Sequence, residues 1–178
     1  MPEKWQLLSS KYAFQSPWIS LRQDAVRLPN GHELDDYYVV EEHDFVKIFP
    51  LTEDDEVVFV RQYKHGLSDV LIELPAGFVE YGEDPLAAAE RELREETGYA
   101  GRLELAGTFI VDPTRKNTRE YVYFGRVAYA GEQQLDHTED IEVQLVPLRD
   151  VWPMIERRQI TAMSTISCAL LILKRLGI

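Results

Sequence analysis

A chain of 178 residues, 45% hydrophobic and 28% charged, is long enough to bury one core and has the composition of an ordinary soluble globule. Its net charge of −12 argues against general nucleic-acid binding, because neutralising phosphates requires Lys and Arg in excess. The opening MPEKWQLLSSKY lacks the basic and apolar regions of a signal peptide, and the longest apolar run, Ala169 to Leu173, is too short to cross a bilayer, so the expectation is one domain over residues 1–178, cytoplasmic and with no membrane partner.

Trp5 to Ser10 and Trp18 to Leu28 read as strands, the second alternating through Ile19 and Leu21 up to a hairpin-like break at Pro29-Asn30-Gly31. Tyr37 to Glu41 and Phe45 to Leu51 follow as two further strands. Glu56 to Tyr63, an apolar run with a polar end, reads as a buried one. No repeat, low-complexity segment or linker interrupts the series.

The stretch from Gly77 to Tyr99, GFVEYGEDPLAAAERELREETGY, is the most demanding in the chain. Asp84-Pro85 predicts a helix start, with Asp84 as N-cap and proline where a missing N–H costs nothing; Gly98 is the matching stop. Leu86, Ala89, Leu93 and Thr97 recur at helical spacing and are expected to face the core. Glu92, Glu95 and Glu96 fall at i, i+3 and i+4, so three carboxylates converge on a neighbouring face. Like charges at that spacing destabilise a helix by a few tenths of a kcal/mol per pair, roughly, and call for a cation or for solvation. Hard oxygen ligands suit Mg²⁺, Mn²⁺ or Ca²⁺. A bound divalent ion would also reconcile an acidic chain with a phosphate substrate, since it inverts the local field.

Beyond that stretch, Arg102 to Val111 and Tyr121 to Val127 read as strands around the loop DPTRKNTRE, where Arg115, Lys116 and Arg119 make a basic cluster that either meets phosphate or ribose or is simply solvated. Gln133 to Leu145 is an acidic loop leading into a strand, and His137 in it is solitary. Arg149 to Arg157 predicts a short helix with Pro153 in its first turns, and Thr161 to Leu176 a longer one with a stripe through Met163, Ile166, Leu170 and Leu173, closed by Gly177. The single cysteine, Cys168, fits a reducing compartment and reads as a buried helix residue.

The offsets of Gly77, Glu83, Arg91, Glu92, Glu95, Glu96 and Gly98 match the signature box of the Nudix hydrolases, with Tyr99 standing where an aliphatic residue is usual. This resemblance implies an α/β protein, a Nudix-type α/β/α sandwich with a mixed sheet, that binds divalent metal, Mg²⁺ with Mn²⁺ as the alternative, and cleaves a nucleoside diphosphate derivative. It implies metal binding by Glu92, Glu95 and Glu96, a part in catalysis for Glu95 and Arg91, and support of the helix and loop by Arg91 and Glu83. Arg61-Gln62-Tyr63-Lys64, Glu73-Leu74-Pro75-Ala76-Gly77 and the strands ahead of the box resemble the ADP-ribose pyrophosphatase and nucleotide-sugar hydrolase branch. That branch implies an added N-terminal antiparallel sheet over residues 1–45 that helps form a homodimer, with base recognition drawing on strands of both subunits. Phe14, Trp18 and Tyr38 are the aromatic candidates. It also implies the Ala76 carbonyl as a metal ligand and a basic side chain near Lys64 at the diphosphate. The alternative for Arg61 and Lys64 is exposed charge at a strand end.

Pro113 falls close to the position of a proline that follows the box in ADP-ribose hydrolases, with DPTRKN in place of their S-P-G motif. In the acidic loop the resemblance implies a catalytic base, with Glu139 the best match and Asp140 and Glu142 its rivals. The activity implied is hydrolysis of a nucleoside diphosphate sugar, ADP-ribose first, to a nucleoside monophosphate and a sugar phosphate. GDP-mannose, a dinucleoside polyphosphate or an oxidised nucleotide are the alternative substrates, and a non-catalytic nucleotide-sugar sensor is the alternative class.

Overall fold

A computed structural model describes residues 1–178. The chain divides into two compact units, Met1–Asp44 with Ile110–Arg119, and Phe45–Phe109 with Glu120–Ile178.

The first unit is built on three antiparallel strands, β1 (Gln6–Gln15), β2 (Ser20–Arg27) and β3 (Glu33–Glu41), in that order. The predicted break at Pro29-Asn30-Gly31 is a turn: Gly31 takes φ +84° and the Asn30 side chain accepts the His32 N–H. Strands β1 and β3 run longer than their apolar patterns suggest, because cross-strand pairs such as Lys11 with Gln23 extend the ladder through polar residues. Arg22 donates to Asp24 at 3.0 Å and pairs with Glu41, while Ser10 donates to Asp24 at 2.7 Å. Burial alone would push the Asp24 carboxyl up, but the Arg22 guanidinium and the Ser10 hydroxyl hold it below its usual range. In the same unit Lys116 pairs with Glu42 at 2.6 Å, the Asp44 side chain accepts the Arg119 N–H, and Arg115 stacks over the Tyr37 ring, 5.4 Å from its centroid.

The second unit holds β4 (Phe45–Thr52), β5 (Glu56–Lys64), β6 (Asp69–Glu73), β7 (Ala76–Phe78), α1 (Pro85–Thr97), β8 (Tyr99–Ile110), β9 (Arg119–Tyr129), β10 (Ile141–Pro147), α2 (Leu148–Glu156) and α3 (Met163–Leu176). Its sheet runs β10-β5-β4-β9-β8, with β6 added to β5 and β7 to β4. It is mixed: β4 pairs parallel with β9, Ile48 opposite Tyr123, and antiparallel with β5 and β7. Both faces of β4 are buried, which explains its unbroken apolar run. Val46 and Ile48 pack with Ala88, Ala89 and Leu93 of α1 on one face; Phe49 and Leu51 pack with Val151 of α2 and Ala169 and Ile172 of α3 on the other. This is the α/β/α sandwich with mixed sheet and additional N-terminal antiparallel sheet.

Several local expectations shift. Leu86 lies exposed in the first turn of α1, and Ala88 joins Ala89, Leu93 and Thr97 in its buried face. On α3, Met163 and Leu170 are exposed, and Thr165, Cys168, Ala169 and Ile172 are buried beside Leu173. The helix turns its smaller residues to the sheet, where the Thr165 hydroxyl oxygen accepts the buried Leu74 N–H. Pro153 is the sixth residue of α2, inside the helix and past its first turn. Strands β6 and β7 carry no periodic signal, being five and three residues long.

Candidate active site

Helix α1 begins where its caps dictate. The Asp84 carboxylate accepts the N–H groups of Leu86 and Ala87 at 2.9 and 3.3 Å, and Pro85 opens the first turn. Gly98 closes it in the left-handed region at φ +73°, donating its N–H to the Arg94 carbonyl at 2.8 Å. The burial of Ala88, Ala89 and Leu93 against β4 sets the rotation of the helix, and that rotation places Glu92 and Glu96 beside strand β7, with Glu95 held by Arg91.

Arg91 organises the carboxylates. Its Nε and Nη2 grip the two oxygens of Glu83 at 3.0 Å each, Nη1 reaches Glu92 at 2.7 Å and Glu95 at 3.1 Å, and Nη2 also donates to the Phe78 carbonyl at 3.1 Å. A planar fork with five donors suits this; a lysine has no such geometry. The Glu83 carboxyl is held below its usual range chiefly by Arg91, and it accepts the Glu80 N–H, closing the loop ahead of the helix.

Glu92 folds against Gly77 so closely that a Cβ there would lie 1.9 Å from its carboxyl carbon. The glycine is required by that approach. Glu96 is only 5% exposed and accepts the Ala76 N–H at 3.0 Å. Its carboxyl is pushed up to about 8, chiefly by burial and also by the charges of Glu92 and Glu139, against the opposing pull of the Ala76 N–H and Lys64. Burial likewise raises Glu92, with Arg91 opposing and the charges of Glu95 and Glu139 adding to the rise. The charge of Glu139 thus bears on both Glu92 and Glu96.

Glu139 is half-buried in a turn in which its carboxylate accepts the Asp136 N–H at 3.0 Å and its own N–H bonds the Asp136 carbonyl. Lys64 lies 3.1 Å from Glu73 and 2.6 Å from the Gln62 side-chain oxygen. Arg61, offset by an odd number of residues along β5, lies on the face opposite Lys64 and donates to Glu142 at 2.9 Å across the β5–β10 ladder. Arg115 belongs to the first unit, against Tyr37 and the Tyr38 carbonyl. Two partners went unread in the sequence. Glu73 neutralises Lys64, and Gln133 bonds the carbonyls of Glu96 and Ile141. A glutamine at the head of an acidic loop carries no signal of such a role.

No three His, Cys, Asp or Glu side chains stand together as a ready-formed metal cluster, so Glu92, Glu95 and Glu96 do not converge as their spacing suggests, and Arg91 bonds both Glu92 and Glu95. The donor chemistry nevertheless fits a hard divalent cation. Glu96 is a buried carboxylate whose ionisation is opposed by burial and by two neighbouring glutamates, and it has only a backbone N–H and a more distant lysine charge in its favour.

Residues 41–163 match the Nudix domain and residues 5–40 match the nucleoside diphosphate sugar hydrolase N-terminal domain. The chain belongs to the Nudix hydrolase family. Within it, the chain falls in the branch that carries this N-terminal domain, and it is 30% identical over 156 residues to an ADP-ribose pyrophosphatase of Bacillus subtilis (strain 168), covering 86% of this chain and 84% of that one. It is 31% identical over 142 residues to a methanol dehydrogenase activator of Bacillus methanolicus, covering 79% and 76% of the two chains. The crystal structure of an ADP compounds hydrolase superposes with a TM-score of 0.86 over 99% of this chain and 96% of its own, at 18% identity, which speaks for the fold alone.

Proposed function

We propose that this protein hydrolyses the pyrophosphate bond of a nucleoside diphosphate sugar, ADP-ribose being the first substrate to test, to a nucleoside monophosphate and a sugar phosphate. The observation that carries the reading is the convergence of Glu92 and Glu96 on the Ala76-Gly77 backbone with the charge of Glu139 bearing on both. The relatives' names support the substrate class.

Glu92, Glu95, Glu96 and the Ala76 carbonyl would hold a divalent cation, Mg²⁺ or Mn²⁺. When bound, such a cation supplies positive charge against the diphosphate and Lewis acidity. The chain's own groups do the rest. Arg91 bridges Glu92 and Glu95 and grips Glu83, which keeps the carboxylates oriented. Glu139 takes a proton from the water whose oxygen attacks phosphorus, while the P–O bond of the leaving phosphate breaks. Lys64, whose charge bears on Glu96, is the proposed substrate-binding cation of this site; Arg61 faces the other side of β5 and is committed to Glu142. We carry a homodimer and a cytoplasmic location as part of the reading. The first is supported by the exposed Leu7, Tyr12 and Phe14 of β1. For the second, the single buried Cys168 speaks, its thiol pushed up to about 12 by burial. No helix is long and apolar enough to cross a membrane.

The test is turnover of ADP-ribose with MgCl₂ by the wild-type chain and by Glu96→Gln, with products identified and with GDP-mannose, a dinucleoside polyphosphate and an oxidised nucleotide alongside. The variant is expected to lose about 10²–10³-fold in kcat, the range for removing one group that stabilises transition-state charge. Equal turnover by a folded Glu96→Gln protein would sink the assignment, and binding of ADP-ribose without product would favour a sensor.

A further inference from the structure

The segment that carries Glu139 leaves β9 at Tyr129 and enters β10 at Ile141. It is strapped to the C-terminal end of α1. The N–H groups of Ala130 and Gly131 bond the Gly98 carbonyl at 2.8 and 3.2 Å, and the Gln134 N–H bonds the Glu95 carbonyl at 2.9 Å. The Gln133 side-chain amide completes the strap, donating to the Glu96 carbonyl at 2.6 Å and to the Ile141 carbonyl at 3.1 Å.

The last carbonyls of a helix have no partner within it. At a half-buried position water could satisfy them, and water would fix no distance. A single amide that uses both of its N–H donors does fix one. It ties the backbone of Glu96, whose carboxylate faces Ala76, to the backbone at the far end of the Glu139 segment.

We propose that Gln133 is a positioning residue of the hydrolysis: it holds the Glu139 segment at one spacing from the carboxylates of α1, acting through Glu139 and touching no substrate. The inference rests on the reading of Glu139 as the base. Loss of the tether would remove the one side-chain bond that spans the segment from α1 to Ile141, leaving the backbone bonds of Ala130, Gly131 and Gln134 at its start and the Asp136 turn at Glu139, and displacement of a catalytic group by about 1 Å can cost roughly 10²-fold in rate.

The experiment uses the full chain with MgCl₂ and ADP-ribose and compares wild type, Gln133→Met, Glu139→Gln and the double variant. Met matches the length of Gln without its donors. Gln133→Asn, which keeps the amide but is too short to span both carbonyls, serves if the Met variant does not fold. Gln133→Met is expected to lower kcat roughly 10- to 100-fold with KM within about twofold. On the Glu139→Gln background the same change is expected to cost less than about twofold, because residues that act as a unit are not additive. Hydrogen exchange at the Gln134 and Glu139 amides is expected to quicken in Gln133→Met. A depressed Glu139→Gln protein on which Gln133→Met takes its full further loss would overturn the tether alone, as would unchanged exchange or a kcat within twofold of wild type for Gln133→Met. Wild-type turnover by Glu139→Gln would overturn the base assignment and the tether with it.

Discussion

Gly77 has no side chain because the Glu92 carboxylate occupies that space. A Cβ would lie within 2.3 Å of both carboxylate oxygens, and these atoms end a flexible side chain that can swing away. Gly77→Ala is therefore expected to keep its stability within about 0.5 kcal/mol, as substitutions without a buried clash do. It should nonetheless lose roughly 10²-fold in kcat, because Glu92 is displaced from the site. Thermal melting beside steady-state kinetics checks both halves; a destabilised but fully active protein would refute the account. The seven residues of the box and their spacing were legible as residues. The grip of Arg91 on three glutamates and the Phe78 carbonyl was not, because a fork shared among partners one, four, eight and thirteen positions away depends on how the loop ahead of the helix folds back.

Among the elements, α1 carries its own punctuation, and the structure places its ends where Asp84-Pro85 and Gly98 mark them. Gly98 does more than stop the helix. It sits at φ +73°, and a Cβ there would meet the Gly131 backbone oxygen at 2.1 Å, in the segment that leads to Glu139. Gly98→Ala is expected to cost about 1–2 kcal/mol for the left-handed backbone, with more for the clash, since a carbonyl cannot swing aside as a side chain can. Urea unfolding measures it, and an unchanged midpoint would show the contact to be loose. Helix α3 shows where periodicity misleads. Its pattern allowed a stripe through Met163 and Leu170, yet the fold buries Thr165 and Ala169, because close approach to the sheet favours small side chains.

At the scale of the whole molecule, an acidic chain of net charge −12 commits several of its cations to carboxylates, as in the Arg22, Arg91 and Lys116 pairs. The N-terminal unit depends on one of these for its response to acid. Asp24 titrates below its usual 3.8 in the folded unit, so the folded state binds fewer protons there than the unfolded chain does. The stabilisation is then fully present above about pH 4 and is lost as pH falls through the depressed folded value. Wild type is expected to be more stable than Asp24→Asn at pH 7, and the gap between their denaturant midpoints should close below about pH 4. A gap that stays constant down to pH 2.5 would refute the Asp24 assignment.

The sequence by itself determined the helix of the box, its two caps, the longer strands before and after the box and the family resemblance, since these rest on periodicity and capping chemistry that act over a few residues. Only the tertiary structure decided which carboxylates are shielded and which are held. It brings Gln133 to the Glu96 carbonyl across 37 positions and Arg61 to Glu142 across 81. It also turns α3 to present its small residues to the sheet. Contacts between residues so far apart arise when two layers pack on a common sheet, and no local pattern in the chain encodes which side chains then meet.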